Sequence, residues 1–180
     1  MDIVERAKEY ATLKHTGQIR KLSKSPYIVH PADVAELASA ATDDVELTAA
    51  AWLHDVVEDT NTSLEEIRNE FGNTIASLVD EVTKNAEEQG NRSKKEYYHE
   101  KVRKITSKAL TLKLFDRLAN IMSVVADLKR DSKSNEVIDF AKYYKKQTQY
   151  IFEDLDQDRE LTDVQNTTLE LILLYLRQLP

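Results

Sequence analysis

The sequence predicts an all-α fold, and three observations carry that expectation. Turn formers are scarce, with three Gly and three Pro in 180 residues. Apolar residues recur at three- and four-residue spacing through most of the chain, which is the period of a helix buried on one side. No stretch alternates apolar and polar in the manner of a half-buried strand. A length of 180 residues suits one domain with a sizeable core, so 1–180 reads as a single unit.

The elements follow in order. Ile3, Val4, Ala7, Tyr10 and Ala11 make a first helical stripe. Pro31 suits the first position of a second helix carrying Val34, Ala35, Leu37 and Ala38. A third helix runs from about Asp44 to His54 or a little beyond, with Leu47, Ala50, Ala51 and Leu53 inward. Thr62 followed by Glu65 reads as a capping box, and Gly72 suits the end of the helix it opens. Ile75, Leu78, Val79 and Val82 define the next helix, and the polar stretch Asn85 to Ser93 reads as a loop. Helical patterns interrupted by β-branched Thr106 and Thr111 follow, then a long helix from about Glu136 to Leu155. The last begins near Asp163 and carries Leu169, Ile172, Leu173 and Leu176. Its apolar surface suits core packing or a face shared with a second copy of the chain in a homodimer.

Charge and composition exclude several classes. Twenty-five Lys and Arg against thirty-two Asp and Glu give a net charge of −7, which disfavours binding nucleic acid through general electrostatics. The longest apolar run, Leu171 to Leu176, is far short of the roughly 18 residues of a membrane span, and no secretory leader is visible, so a cytoplasmic location is expected. The absence of cysteine excludes disulfides and thiolate-bound zinc. Two basic clusters stand against the acidic background: Arg20, Lys21 and Lys24, and the stretch Arg92 to Lys104 with its interleaved Tyr97 and Tyr98. Each reads either as solvated surface or as a positive mouth for a small anionic ligand.

The chemistry centres on histidine and aspartate. His54 and Asp55 form a doublet in the apolar helix Ala-Ala-Ala-Trp-Leu-His-Asp-Val-Val. A buried carboxylate beside a buried imidazole needs a partner, which is either a hydrogen-bond network or a divalent metal. His30 before Pro31 is a helix-start residue or a ligand. Asp116 in Leu-Phe-Asp-Arg-Leu-Ala-Asn is an ion-pair partner for Arg117 or a ligand. Taken together, two His and two Asp make a mixed nitrogen and oxygen shell suited to Mn, Fe or Zn, with positions left open for water. His15 precedes a turn and reads as structural, and His99 reads as exposed.

The order His30, His54-Asp55, Asp116 resembles the HD-domain metal-dependent phosphohydrolases. The local sequences resemble the hydrolase domain of the RelA/SpoT homologues, and especially the stand-alone small alarmone hydrolases. They are His15-Thr-Gly-Gln-Ile-Arg-Lys21, Pro26-Tyr-Ile-Val-His-Pro31, Trp52-Leu-His-Asp-Val-Val-Glu-Asp-Thr60, Phe71-Gly72, Val79-Asp-Glu-Val-Thr-Lys84 and Lys113-Leu-Phe-Asp-Arg-Leu-Ala-Asn120. They cover roughly residues 1 to 155, with the C-terminal helix at about 160–179 beyond them. The resemblance implies a single-domain HD helical bundle and a Mn²⁺-dependent hydrolase, with other divalent transition metals as alternatives. Its substrate would be a small nucleotide: the reaction removes the 3′-pyrophosphate from (p)ppGpp and leaves GDP or GTP. No nucleic-acid or membrane partner is implied.

Carried over to this chain, the resemblance makes His30, His54, Asp55 and Asp116 metal ligands and Glu58 and Asp59 the catalytic acidic pair. It makes Arg20 and Lys21 the pair packing on guanine, and places Asn120 and Ser123 near the sugar, where the family has Thr at the second position. If the third helix continues, Glu58 projects from the face of His54 at i, i+4, where a carboxylate can orient or deprotonate water without being a ligand. A planar guanidinium at Arg20 can stack on a purine.

The chain also departs from that pattern. Leu22-Ser-Lys-Ser25 stands where many relatives have the shorter Ser-Gly-Glu. Ala119 stands where His is usual, and Met122 where Arg is. These departures spare the proposed metal shell and change the proposed substrate wall. They keep open a hydrolase of the same fold acting on another nucleotide phosphate such as NADPH. A non-catalytic helical protein that binds a nucleotide or a partner is the third reading, disfavoured because all six metal and acidic positions are filled. A synthetase or regulatory domain has no room in 180 residues.

Overall fold

The structure, a computed structural model, describes residues 2–180. Among them no strand forms; an isolated antiparallel bridge pairs Ile19 with Pro26. The all-α expectation holds. The helices gather into two compact units that meet in sequence at Lys84 and Asn85.

The first unit contains α1 (Ile3–Lys14), α2 (Val29–Ala41), α3 (Val45–Leu53), α4 (Val56–Asp59), α5 (Leu64–Phe71) and α6 (Asn73–Val82). Its centre is α3, which packs against α1, α2 and α6. Small residues make that close approach feasible: Ala7 and Ala11 of α1, Ala35 and Ala38 of α2, and Ala49, Ala50 and Ala51 of α3 are all buried. Asp44 caps α3 by accepting from the main-chain N–H groups of Glu46 and Leu47. Gly72 ends α5 at φ +88°, a conformation in which a side chain would be strained. Ile75, Leu78, Val79 and Val82 form the buried stripe of α6, as expected.

Three local expectations are corrected. The capping box that opens α5 is Ser63 with Glu66, one residue later than Thr62 and Glu65. Thr62 is buried, and its hydroxyl accepts from Thr60 Oγ1 at 2.9 Å. Pro31 is the third residue of α2, and Val29 and His30 before it are already helical. The third helix stops at Leu53, so Glu58 belongs to the short α4 and does not share a continuous helix with His54.

The second unit contains α7 (Ala86–Gln89), α8 (Lys94–Lys104), α9 (Ser107–Arg130), α10 (Asn135–Ile151), α11 (Leu155–Asp158) and α12 (Asp163–Leu176). The expected loop from Asn85 to Ser93 therefore holds one short helix, capped by Asn85. Thr106 caps α9, while Thr111 lies within it and returns its hydroxyl to the Ser107 carbonyl at 3.1 Å. At 24 residues α9 is about 36 Å long, and both α10 and α12 pack against it. Gln165 of α12 is fully buried, and its amide nitrogen meets the Ser107 carbonyl at 2.7 Å and Thr111 Oγ1 at 2.9 Å.

Two arginines tie the end of α8 to the chain beyond α10. Arg103 donates to the carbonyls of His99, Ile151 and Glu153 and to the carboxylate of Asp158. Arg159 donates in the other direction, to the carbonyls of Val102 at 3.0 Å and Ile105 at 2.9 Å.

Candidate active site

Two histidines and a carboxylate converge in the first unit. His30 is the second residue of α2, and His54 follows the last residue of α3. The His54 ring takes the Ala51 carbonyl at 2.8 Å, the carbonyl that a continuing helix would offer to Asp55. The chain turns there, and Asp55 sits in the break before α4.

That contact also fixes the tautomer. A carbonyl only accepts, so Nδ1 of His54 carries the proton and Nε2 presents a lone pair. This Nε2 lies 3.3 Å from His30 Nε2 and 3.2 Å from Asp55 Oδ2, while His30 Nε2 lies 3.5 Å from the same oxygen. Two imidazole nitrogens and a carboxylate oxygen thus face one point, with both imidazoles 2–3% exposed. Such an arrangement is satisfied either by the Nε2–H of a neutral His30 donating into it or by a cation shared by all three. The donor set of two imidazoles and a carboxylate fits a divalent transition metal.

The acidic pair lies beyond the break. Glu58 Oε2 accepts from the main-chain N–H of Lys84 at 3.0 Å, which anchors it to the segment after α6. Asp59 Oδ2 accepts from the Tyr27 hydroxyl at 2.8 Å. Shielding from water raises the Asp59 carboxyl above the usual carboxylate range, and the negative charge of Asp55 adds to the effect.

Tyr27 was not singled out from the sequence, although it lies three residues before His30. Its hydroxyl also reaches Asp55 Oδ2 at 2.7 Å. Burial and the two carboxylates push the phenol far above its ordinary range. The ring lies against His15, with centroids 4.9 Å apart. The structural role expected of His15 fits what it touches: Nδ1 meets Gln18 Oε1 at 2.8 Å, and Gln18 Nε2 donates to the Asp59 carbonyl at 2.8 Å.

Arg20 and Lys21 begin a turn closed by the bridge between Ile19 and Pro26. The turn is held by Arg20 N–H donating to the Ser25 carbonyl at 2.8 Å. With no glycine available, Lys24 takes the left-handed conformation at φ +59°. The Arg20 guanidinium lies over the Tyr27 ring at 6.0 Å, so the turn brings it beside the carboxylate network. Lys21 is exposed.

The remaining candidates sit on α9 in the second unit. Asp116 is 8% exposed, and both its oxygens are engaged: Oδ2 with Lys113 Nζ at 2.8 Å and Oδ1 with Asn120 Nδ2 at 2.6 Å. Lys113, rather than Arg117, is the ion-pair partner. Arg117 donates to Thr148 Oγ1 at 3.4 Å and lies over the Tyr144 ring at 4.7 Å. Burial alone would lower the Lys113 ammonium, yet Asp116 and Tyr98 together hold the group well above its ordinary value. Ser123 lies one turn past Asn120 and is half-buried. Ala119 is buried, and Met122 is 38% exposed.

In the basic stretch, Arg92 and Lys104 both pair with Glu100, and Arg103 is bound to main-chain carbonyls. Tyr97 and Tyr98 are buried. His99 corrects its expected exposure: it is half-buried, with Nδ1 2.8 Å from the Tyr150 carbonyl.

A family model described as HD domain matches residues 7–159. The chain is 38% identical over 123 residues to a guanosine-3′,5′-bis(diphosphate) 3′-pyrophosphohydrolase of Aquifex aeolicus. That match takes in 67% of this chain and spans 18% of the length of the relative. It is also 38% identical over 131 residues to the protein of the same name from Xenopus tropicalis, covering 71% of this chain and 70% of the other. A solved structure described as a metazoan ortholog of SpoT that hydrolyzes ppGpp superposes with a TM-score of 0.75 at 28% identity, covering 96% of this chain and 94% of the other. The chain belongs to the HD-domain family, in its RelA/SpoT-homologue branch.

Proposed function

We propose that the protein is a metal-dependent (p)ppGpp 3′-pyrophosphohydrolase, releasing pyrophosphate and GDP or GTP. The observation that carries this reading is the convergence of His30, His54 and Asp55 on one point, with the Asp59 carboxyl linked to the same group through Tyr27. Relatives named for that reaction, one of them matched over 70% of its length, supply the substrate class.

In this reading 1–180 works as one domain. Asp116 joins His30, His54 and Asp55 as the fourth ligand, and Mn²⁺ is the metal, with other divalent transition ions able to substitute. The bound ion would supply Lewis acidity toward water and the reacting phosphate. Glu58 takes the proton from the attacking water. Asp59 gives a proton to the departing 3′-oxygen. Arg20 stacks on guanine, with Lys21 beside it, and Asn120 and Ser123 hold the sugar. The location is cytoplasmic. No helix among the described residues is long and apolar enough to cross a membrane. Leu171, Leu173 and Leu174, exposed on α12, would line a homodimer face.

A second reading, an HD hydrolase acting on another nucleotide phosphate such as NADPH, is favoured by the altered turn with Lys24 at positive φ and by Ala119 and Met122. Incubating purified protein with ppGpp and Mn²⁺, with EDTA as control, tests both. GDP and pyrophosphate lost on adding EDTA are the expected products. A protein that binds Mn²⁺ but leaves ppGpp intact would overturn the alarmone reading and direct the assay to NADPH and release of orthophosphate.

A further inference from the structure

Tyr27 has no part in the roles assigned above, yet its hydroxyl touches two of the residues that have one. The phenol carries a single proton and lies 2.7 Å from Asp55 Oδ2 and 2.8 Å from Asp59 Oδ2. The hydroxyl thus stands between two acidic side chains whose like charges would repel in a partly shielded site.

The ring is held on several sides. His15 lies against it at 4.9 Å with planes inclined by 34°, and His30 meets it edge-on at 6.1 Å and 79°. Its own main-chain N–H donates to the Gln18 carbonyl at 2.9 Å. The same Gln18 donates from its side chain to the main-chain carbonyl of Asp59. Tyr27 and Asp59 are therefore tied together twice, through side chain and through Gln18, and the hydroxyl has little freedom to leave its place.

We propose that Tyr27 is a positioning residue whose hydroxyl bridges Asp55 and Asp59 and sets the orientation of both carboxylates. The inference rests on the reading of Asp55 as a metal ligand. A hydroxyl donating to a ligand carboxylate limits the rotamers that carboxylate can take, and loss of such an outer partner typically weakens metal binding by about 10–100-fold. The bridge extends that control to Asp59, so one group keeps the ligand and the acid in a fixed relation.

Tyr27→Phe tests this, because it removes the oxygen and keeps the ring between His15 and His30. Calorimetric titration of the metal-free variant with Mn²⁺ is expected to show a Kd weakened by about 10–100-fold. Where ppGpp is turned over, kcat is expected to fall while KM stays within about twofold, the pattern of a lost transition-state interaction. An unchanged Mn²⁺ Kd in a folded Tyr27→Phe protein would overturn the proposal.

Should the variant not fold, the unaltered protein labelled at tyrosine Cζ gives an independent test. Titration with Zn²⁺ is expected to move one tyrosine signal in step with binding, and Mn²⁺ to broaden that same signal. If no tyrosine signal moves, the bridge is refuted. Neither measurement uses nucleotide. Weakened Mn²⁺ binding in a protein that leaves ppGpp intact would keep Tyr27 in its role and remove the alarmone reading, whereas an unaltered protein that binds no divalent ion would remove both.

Discussion

Lys113 holds its ammonium 2.8 Å from the carboxylate of Asp116, three residues along α9 and almost entirely out of water. Removing one partner of a buried pair leaves the other charge uncompensated, which typically costs about 3–5 kcal/mol. Lys113→Met is expected to destabilise the metal-free protein by an amount near the lower end of that range, because Asn120 still donates to Asp116. Urea unfolding of the metal-free protein measures it. A variant as stable as the parent would show that the pair contributes nothing.

Asp55 is expected to be indispensable for metal binding. At about a hundred times its Kd, a ligand of the folded state stabilises by about 2.7 kcal/mol, so Mn²⁺ is expected to raise the Tm of the parent and EDTA to reverse the rise. Asp55→Ala is expected to show neither the rise nor turnover. A variant that keeps the Mn²⁺-dependent rise would remove Asp55 from the ligand set.

Arg20 acts on affinity if its guanidinium stacks on the base. Arg20→Ala is expected to raise KM by about tenfold with little change in kcat, and Arg20→Lys to rescue it poorly, since an ammonium lacks the planar face. Steady-state kinetics on ppGpp decide it, and an unchanged KM would count against stacking.

Asp33, on α2, gives a pH signature. Burial raises its carboxyl, with His30 and Arg20 opposing and Glu36 adding. A carboxyl raised in the folded state binds its proton more tightly there than in the unfolded chain. Its contribution is favourable below the unfolded value and is lost as pH rises through the folded one. Asp33→Asn is therefore expected to be more stable than the parent at neutral pH, with the gain vanishing as pH falls below the usual carboxylate range. Denaturation midpoints from pH 3 to 8 check this, and a gain independent of pH would exclude burial of the charge as its source.

Periodicity and cap chemistry made most helices legible: α6 and α12 lie where their apolar spacing and terminal residues put them. What eluded that reading depends on contacts distant in sequence or on competition for one carbonyl. At the break after α3 the His54 ring takes the Ala51 carbonyl, a contact that no propensity encodes. Thr106 and Thr111 look alike in sequence, yet one caps α9 and the other is buried within it, a difference set by packing. Tyr27 was inconspicuous because its partners lie 28 and 32 residues away. Lys113 was visible at i, i+3 from Asp116, but the adjacent Arg117 drew the pairing; adjacent residues diverge around a helix, and that spacing is the signal that would have found it.

The reciprocal arginines of the second unit bear on how it opens. Arg103 and Arg159 each hold carbonyls from the other's segment, so neither the end of α8 nor the chain from Ile151 to Arg159 can detach without breaking both sets of bonds. Segments coupled in this way unfold as one cooperative block. Amide protons of residues 99–105 and 151–159 are thus expected to exchange with solvent deuterium at a common rate, and Arg159→Ala to accelerate both stretches together.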